Sequence, residues 1–120
     1  MSQAPRVGID LLEINRLERA LERRPRLAQR LFTAAERQYA SRQARPGQHL
    51  AARFCAKEAA TKALGLSVFR PLEIEVVGDG GAPQIQLYGA AAARAEQLSL
   101  ALGCSLTHSR DMAGAIVVGG

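Results

Sequence analysis

The amino-acid sequence predicts an α+β domain in which a mostly antiparallel sheet packs against helices. Two observations carry this. Short alternating apolar runs stand near the start of the chain and again in its second half, at Val7 to Leu11, Leu72 to Val77 and Gln84 to Tyr88, with the period of two that marks strands. Between and after them lie alanine-rich stretches that favour helix. The resulting order is β-α-α-α-β-β-α-β-β, which groups strands beside one another as an α+β fold does.

The elements follow in order. Arg6 to Leu11 reads as a strand, with Val7, Ile9 and Leu11 on one face and Gly8 and Asp10 on the other. A helix over about 13–24 carries Ile14, Leu17 and Leu21 as its apolar stripe, and Pro25 stops it. Thr33 and Glu36 have the spacing of a capping box that opens a helix over 34–43. Ala44 to Gln48, with Pro46 and Gly47, reads as a loop. Residues 49–64 (HLAARFCAKEAATKAL) form the clearest helix, ended by Gly65. A strand at 72–77, a glycine-rich turn at 78–81 and a strand at 84–88 come next. A helix over 90–102 ended by Gly103 follows. Cys104 to Ser109 and Ala113 to Val118 then form a closing hairpin around Arg110–Met112.

The 120 residues make one domain, 1–120, and 48% hydrophobic composition supplies a core that must be aliphatic and alanine-rich, because only 4% is aromatic. No apolar run approaches the roughly 20 residues that cross a bilayer, and the N-terminus has no signal-peptide core, so a cytoplasmic protein without membrane association is expected. Cys55 and Cys104 are the two cysteines; lacking zinc spacing or a disulfide framework, they read as reduced, buried thiols. Formal net charge is +5. Residues 1–45 hold ten arginines against five acids, whereas 46–120 balance six bases with six acids. The excess therefore belongs to the first third and points to an anionic partner. A nucleic-acid module would interleave such bases with exposed aromatics, but Phe32, Tyr39, Phe54, Phe69 and Tyr88 are scattered along the chain.

Four residues stand out as candidate chemistry. Glu58 lies at the edge of an apolar helix face, where a lone carboxylate is expensive to bury. It could form an i,i+4 ion pair with Lys62, or part of a metal or phosphate site. Asp10 interrupts an apolar strand and could cap the next helix or act as a hard oxygen ligand. Fourteen of the sixteen basic residues are arginine; the two lysines, Lys57 and Lys62, share one segment with Glu58. A compact ammonium acts as a point charge where a broad guanidinium does not fit.

VGIDLLEINRL, LAARFCAKEAATKALG and SLTHSRDMAGAIVV, in this order, resemble the signature segments of the holo-acyl-carrier-protein synthase class of phosphopantetheinyl transferases. The resemblance spans nearly the whole chain. It implies the single-repeat transferase fold, and the smaller of the family's two size classes, which assembles as homotrimers with a site at each subunit interface. It also implies transfer of 4′-phosphopantetheine from coenzyme A to a serine of acyl carrier protein, in fatty acid or polyketide biosynthesis, with adenosine 3′,5′-bisphosphate as the leaving group. Asp10 and Glu58 match magnesium-binding carboxylates, with Mg2+ bridging to the pyrophosphate of coenzyme A. Lys62 and Lys57 match basic residues near those phosphates, Gly65 a further coenzyme A position, and Arg53 and His108 the nucleotide end and its 3′-phosphate. Glu58 or a metal-bound water is the base. Arg16, Arg23 and Arg26 match contacts to the acidic carrier protein; Arg16, Arg19 and Arg23 fall on one helical stripe opposite Glu18 and Glu22. The usual glycine at 67 is serine, which touches preference among coenzyme A forms, and the lysine of a G-K-P turn is Ala82. A binding-only relative is the alternative; the retained Asp10, Glu58 and Lys62 argue against it.

Overall fold

The computed structural model describes residues 4–78 and 81–120. Strand β1 (Arg6–Glu13) leads into helices α1 (Ile14–Arg23), α2 (Leu27–Leu31), α3 (Ala34–Ser41) and α4 (Pro46–Leu64). A 3-10 turn (Pro71–Glu73), β2 (Ile74–Val77), β3 (Gln84–Leu87), α5 (Gly89–Gln97), β4 (Leu102–His108) and β5 (Met112–Gly119) complete the chain. The strands form two sheets, a three-stranded one in the order β1-β5-β4 and a two-stranded one of β2 and β3. Every pairing between these strands is antiparallel, so the expected α+β class holds. None of the described helices is long and apolar enough to cross a membrane.

Helix α4 is the axis of the fold. Thirteen of its nineteen residues are buried, and two cores line it. One gathers Ile14, Leu17, Phe32, Leu50, Cys55 and Val76. The other gathers Ala59, Ala63, Leu64, Ile74, Ala95 and Val117. Alanines let neighbouring backbones come close, and the aliphatic, alanine-rich core expected from composition results. α4 opens one turn earlier than its sequence suggests, with Pro46 at the first helical position, where a missing N–H does no harm. It closes at Gly65, whose φ of 65° is the left-handed cap that glycine adopts without strain. The guanidiniums of Arg6 and Arg94 donate to the last-turn carbonyls of Ala63 and Leu64 at 2.7 and 2.9 Å.

Further boundaries differ from expectation: α3 ends at Ser41 rather than 43, and β2 begins at Ile74, after the 3-10 turn, rather than at Leu72. α2 forms after Pro25 where no helix was predicted. α5 stops at Gln97 rather than 102: Ser99 takes φ 54°, and Leu100, Leu102 and Cys104 then alternate onto the second core. Their period of two belongs to the start of β4, and Gly103 pairs with Val118 instead of ending a helix. The turn at 78–81 lies partly outside the described residues.

The first strand alternates as predicted, with an unexpected orientation. Gly8 is buried against α4, whereas Val7, Ile9 and Leu11 are 51%, 61% and 66% exposed. Val118 and Ile116 stand opposite Val7 and Ile9 and are exposed too. The outer face of this sheet is therefore a contiguous apolar surface.

Candidate active site

The site begins with a glycine. A side-chain carbon on Gly8 would collide with the Ala59 carbonyl, so its absence lets β1 lie directly on α4. This contact brings Asp10 to the outward stripe of α4 that carries Glu58 and Lys62 at i,i+4 spacing. The Lys62 ammonium donates to the Ile9 carbonyl at 2.8 Å and lies 3.5 Å from Asp10 Oδ1. It thus pairs with Asp10 across the two elements rather than with Glu58 along the helix. Asp10 does not cap α1, whose N-cap is Glu13.

Burial, followed by the charge of Asp10, raises the Glu58 carboxyl above its ordinary pKa, with Lys62 opposing. Beneath them, burial pushes the Cys55 thiol up to about 12, Asp10 adding to the rise. That thiol stays protonated at neutral pH and offers no soft ligand. The cluster is two carboxylates against one ammonium, an acidic, oxygen-only donor set. Among the described residues no three His, Cys, Asp or Glu side chains converge as a metal cage. Two carboxylates with the remaining positions left to water or phosphate suit magnesium, which keeps several such oxygens.

Lys57 does not join this cluster, which corrects its expected place beside the phosphates. It lies one residue, about 100°, around the helix from Glu58. Its Nζ donates to the carbonyls of Pro71 and Ile74, both at 2.6 Å, and meets Glu36 Oε1 at 2.7 Å. Neither side chain of the pair is exposed. All three ammonium donors are used, so none can reach a phosphate. Glu36 also accepts from Val76 N at 2.8 Å and from Thr33 N at 2.9 Å, the latter closing the predicted capping box. Lys57 therefore ties α3, α4 and the start of β2 together. A compact ammonium is needed there, as the arginine-rich composition hinted, for a structural reason.

Arg53 and His108 lie elsewhere. Five residues separate Arg53 from Glu58, about 140° around the helix axis. Arg53 is 5% exposed, and its guanidinium stacks 4.2 Å over the Tyr39 ring. Its Nε is the one buried side-chain nitrogen or oxygen among the described residues without a hydrogen-bond partner. It lines an open cleft of about 420 Å³ with Tyr39, His49, Cys104, Leu106 and His108. His49 escaped the sequence reading, although it lies one turn before Arg53 on the same helix. Within one chain the structure therefore brings together Asp10, Glu58 and Lys62, and separately Arg53 and His108. Gly65, exposed just beyond Lys62, adjoins the first group.

The basic surface starts where β1 ends. Arg45 donates to both Glu18 oxygens, at 2.9 and 3.1 Å, holding that acid of α1 against the start of α4. Arg16, Arg19 and Arg23 are exposed and rim a shallow cleft that includes Glu13, three residues beyond Asp10. Arg26, with Arg24 and Arg30, continues it around Pro25.

A family model described as the 4′-phosphopantetheinyl transferase superfamily matches residues 6–117. The holo-[acyl-carrier-protein] synthase of Moorella thermoacetica is 44% identical over 119 residues, covering 92% of this chain and 90% of that protein. Among solved structures, the Chronobacterium ammoniagenes ACPS–CoA complex aligns with a TM-score of 0.86 at 30% identity, over 98% of this chain and 97% of that one. A Helicobacter pylori holo-[acyl-carrier-protein] synthase in complex with coenzyme A aligns at 0.79 with 25% identity, over 95% and 99%.

Proposed function

We propose that this chain, which belongs to the 4′-phosphopantetheinyl transferase superfamily, moves the 4′-phosphopantetheine group of coenzyme A onto a serine hydroxyl of apo-acyl carrier protein. The serine oxygen forms a bond to the phosphorus that bears pantetheine. The bond from that phosphorus to the bridging oxygen of the pyrophosphate breaks, and adenosine 3′,5′-bisphosphate leaves with the electron pair. The hydroxyl proton passes to a base. The observation that carries this reading is the convergence of Asp10, Glu58 and Lys62 where β1 crosses α4, in a chain of this family.

Catalysis of phosphoryl transfer is largely positioning and charge neutralisation. Asp10 and Glu58 would hold magnesium, which supplies neutralisation to the phosphate oxygens when bound. Lys62, with its side chain 55% exposed, is free to turn from Asp10 toward a phosphate. Gly65 leaves the chain beside it without a side chain. Arg53 and His108 receive the phosphate-bearing nucleotide end. Arg16, Arg23 and Arg26 meet the acidic carrier protein.

The reading includes a homotrimer. Two features support it: the apolar outer face of Val7, Ile9, Leu11, Ile116 and Val118, and the separation of Arg53 and His108 from Glu58 around α4. A ligand that needs both groups would take one from each of two neighbouring copies, and a closed ring would cover the face. A cytoplasmic location belongs to the same reading.

The test is product analysis. The protein, coenzyme A, magnesium and apo-acyl carrier protein should release one adenosine 3′,5′-bisphosphate per carrier protein consumed, measured by chromatography. Release without carrier protein would mean hydrolysis, and none at all would refute the transferase reading.

A further inference from the structure

The Arg53 cleft holds more than the two residues assigned to it. His49 on α4 lies edge-on to Tyr39 from α3, with ring centroids 5.8 Å apart, and edge-on to His108 from β4 at 5.6 Å. Arg53, one turn further along α4, stacks over the Tyr39 ring at 4.2 Å. The titratable groups lining the cleft are therefore two imidazoles, a guanidinium, the Tyr39 phenol and the Cys104 thiol; no carboxylate lines it among the described residues. A buried arginine with an unpaired Nε and two imidazoles, in a cleft lined by no carboxylate among the described residues, make an anion site with charge in reserve; Glu36, whose charge reaches Arg53, is already paired with Lys57. Resting on the proposed nucleotide binding at this cleft, we propose that His49 is a third anion-binding side chain there, and that it takes up a proton as the phosphate-bearing end of the ligand binds.

In the free protein, burial, then the neighbouring charges of His108 and Arg53, hold the His49 imidazole below its ordinary pKa. It is therefore neutral at pH 7, which spares the cleft a further cation beside Arg53. A phosphate brings negative charge against the same ring and reverses the balance, favouring imidazolium. Binding and protonation are then linked: each strengthens the other, and affinity rises as pH falls through the bound-state pKa toward the lower free-state one. The useful window is about pH 8 to 6.5, because a phosphate monoester begins to gain its own proton near pH 6. The ring pairing with Tyr39 and His108 fixes where the proton's charge appears. The reacting end of the substrate plays no part.

The experiment follows the histidine ring resonances of the full chain by NMR across pH 6 to 8.5, with and without saturating adenosine 3′,5′-bisphosphate. Only two histidines are present, so a His49→Phe variant assigns the signals while keeping an aromatic ring against Tyr39. The His49 midpoint should rise by about one unit or more on binding, equivalent to roughly tenfold tighter binding of the protonated form. Calorimetry should show the affinity of the wild type strengthening between pH 8 and 6.5, with a much flatter profile in His49→Phe. An unmoved His49 midpoint at saturation, or an identical pH profile in the variant, overturns the inference and leaves nucleotide binding intact. Absence of binding by the wild type at every pH overturns both.

Discussion

Lys57 and Glu36 form an ion pair from which water is excluded, Nζ lying 2.7 Å from Oε1 with both side chains fully buried. Each also holds backbone groups, so removing one partner strands the other. Lys57→Met should lower stability by about 3–5 kcal/mol in denaturant unfolding, because an uncompensated carboxylate remains inside. Adding Glu36→Gln to that variant should recover part of the loss. Lys62→Ala should do the opposite: unchanged melting temperature, and a fall in kcat of roughly 10²-fold. Native stability in Lys57→Met, with only weaker coenzyme A binding, would contradict this division of labour.

Gly8 is where fold and site meet. Gly8→Ala drives a methyl into the Ala59 carbonyl, a backbone atom that cannot step aside. β1 must lift from α4, which should reduce stability by about 1–3 kcal/mol. Activity should fall further than stability explains, because Asp10 leaves Glu58. Unfolding curves and transfer rates on the same samples check both.

The arginines of α1 are exposed and positioned to act at a distance. Arg16→Glu with Arg23→Glu should raise KM for carrier protein at least tenfold at low salt, leaving the KM for coenzyme A unchanged. The penalty should shrink as ionic strength rises and the Debye length falls from about 10 Å.

Sharing of the site between copies predicts complementation. Glu58→Gln and Arg53→Ala should each be inactive alone. Refolded together at equal concentration, they should regain about one quarter of wild-type activity, since random mixing leaves that share of interfaces with both native groups. Ile9→Arg, placed in the exposed apolar face, should give a smaller species in sedimentation and no transfer. Complete lack of recovery in the mixture would place both groups of the site within one chain.

Much of this was legible in the sequence. Thr33 and Glu36 announced the start of α3, Gly65 the end of α4, and alternation the first strand. Asp10 and Glu58 were conspicuous because each interrupts an apolar pattern, and the structure brings them to one place. Other features depend on tertiary context. Lys57 and Glu58 are neighbours in sequence, yet one points into the core and the other to the surface; polarity alone gives no hint which. Alanine propensity predicts α5 past its end at Gln97, and the Leu100, Leu102, Cys104 alternation that packs on the second core overrides it. The division into two sheets and the outward direction of Val7, Ile9 and Leu11 follow from pairings distant in sequence. His49 gained meaning only when Tyr39 and His108 came beside it.

The most direct test of the account is the intact mass of apo-acyl carrier protein after incubation with this protein, coenzyme A and magnesium. Parallel samples contain EDTA or the Glu58→Gln variant. The account predicts a gain of one phosphopantetheine group on the carrier protein, lost in both parallel samples. An unchanged mass across several carrier proteins would contradict the transferase, and a gain that survives both EDTA and Glu58→Gln would contradict the metal site on Asp10 and Glu58.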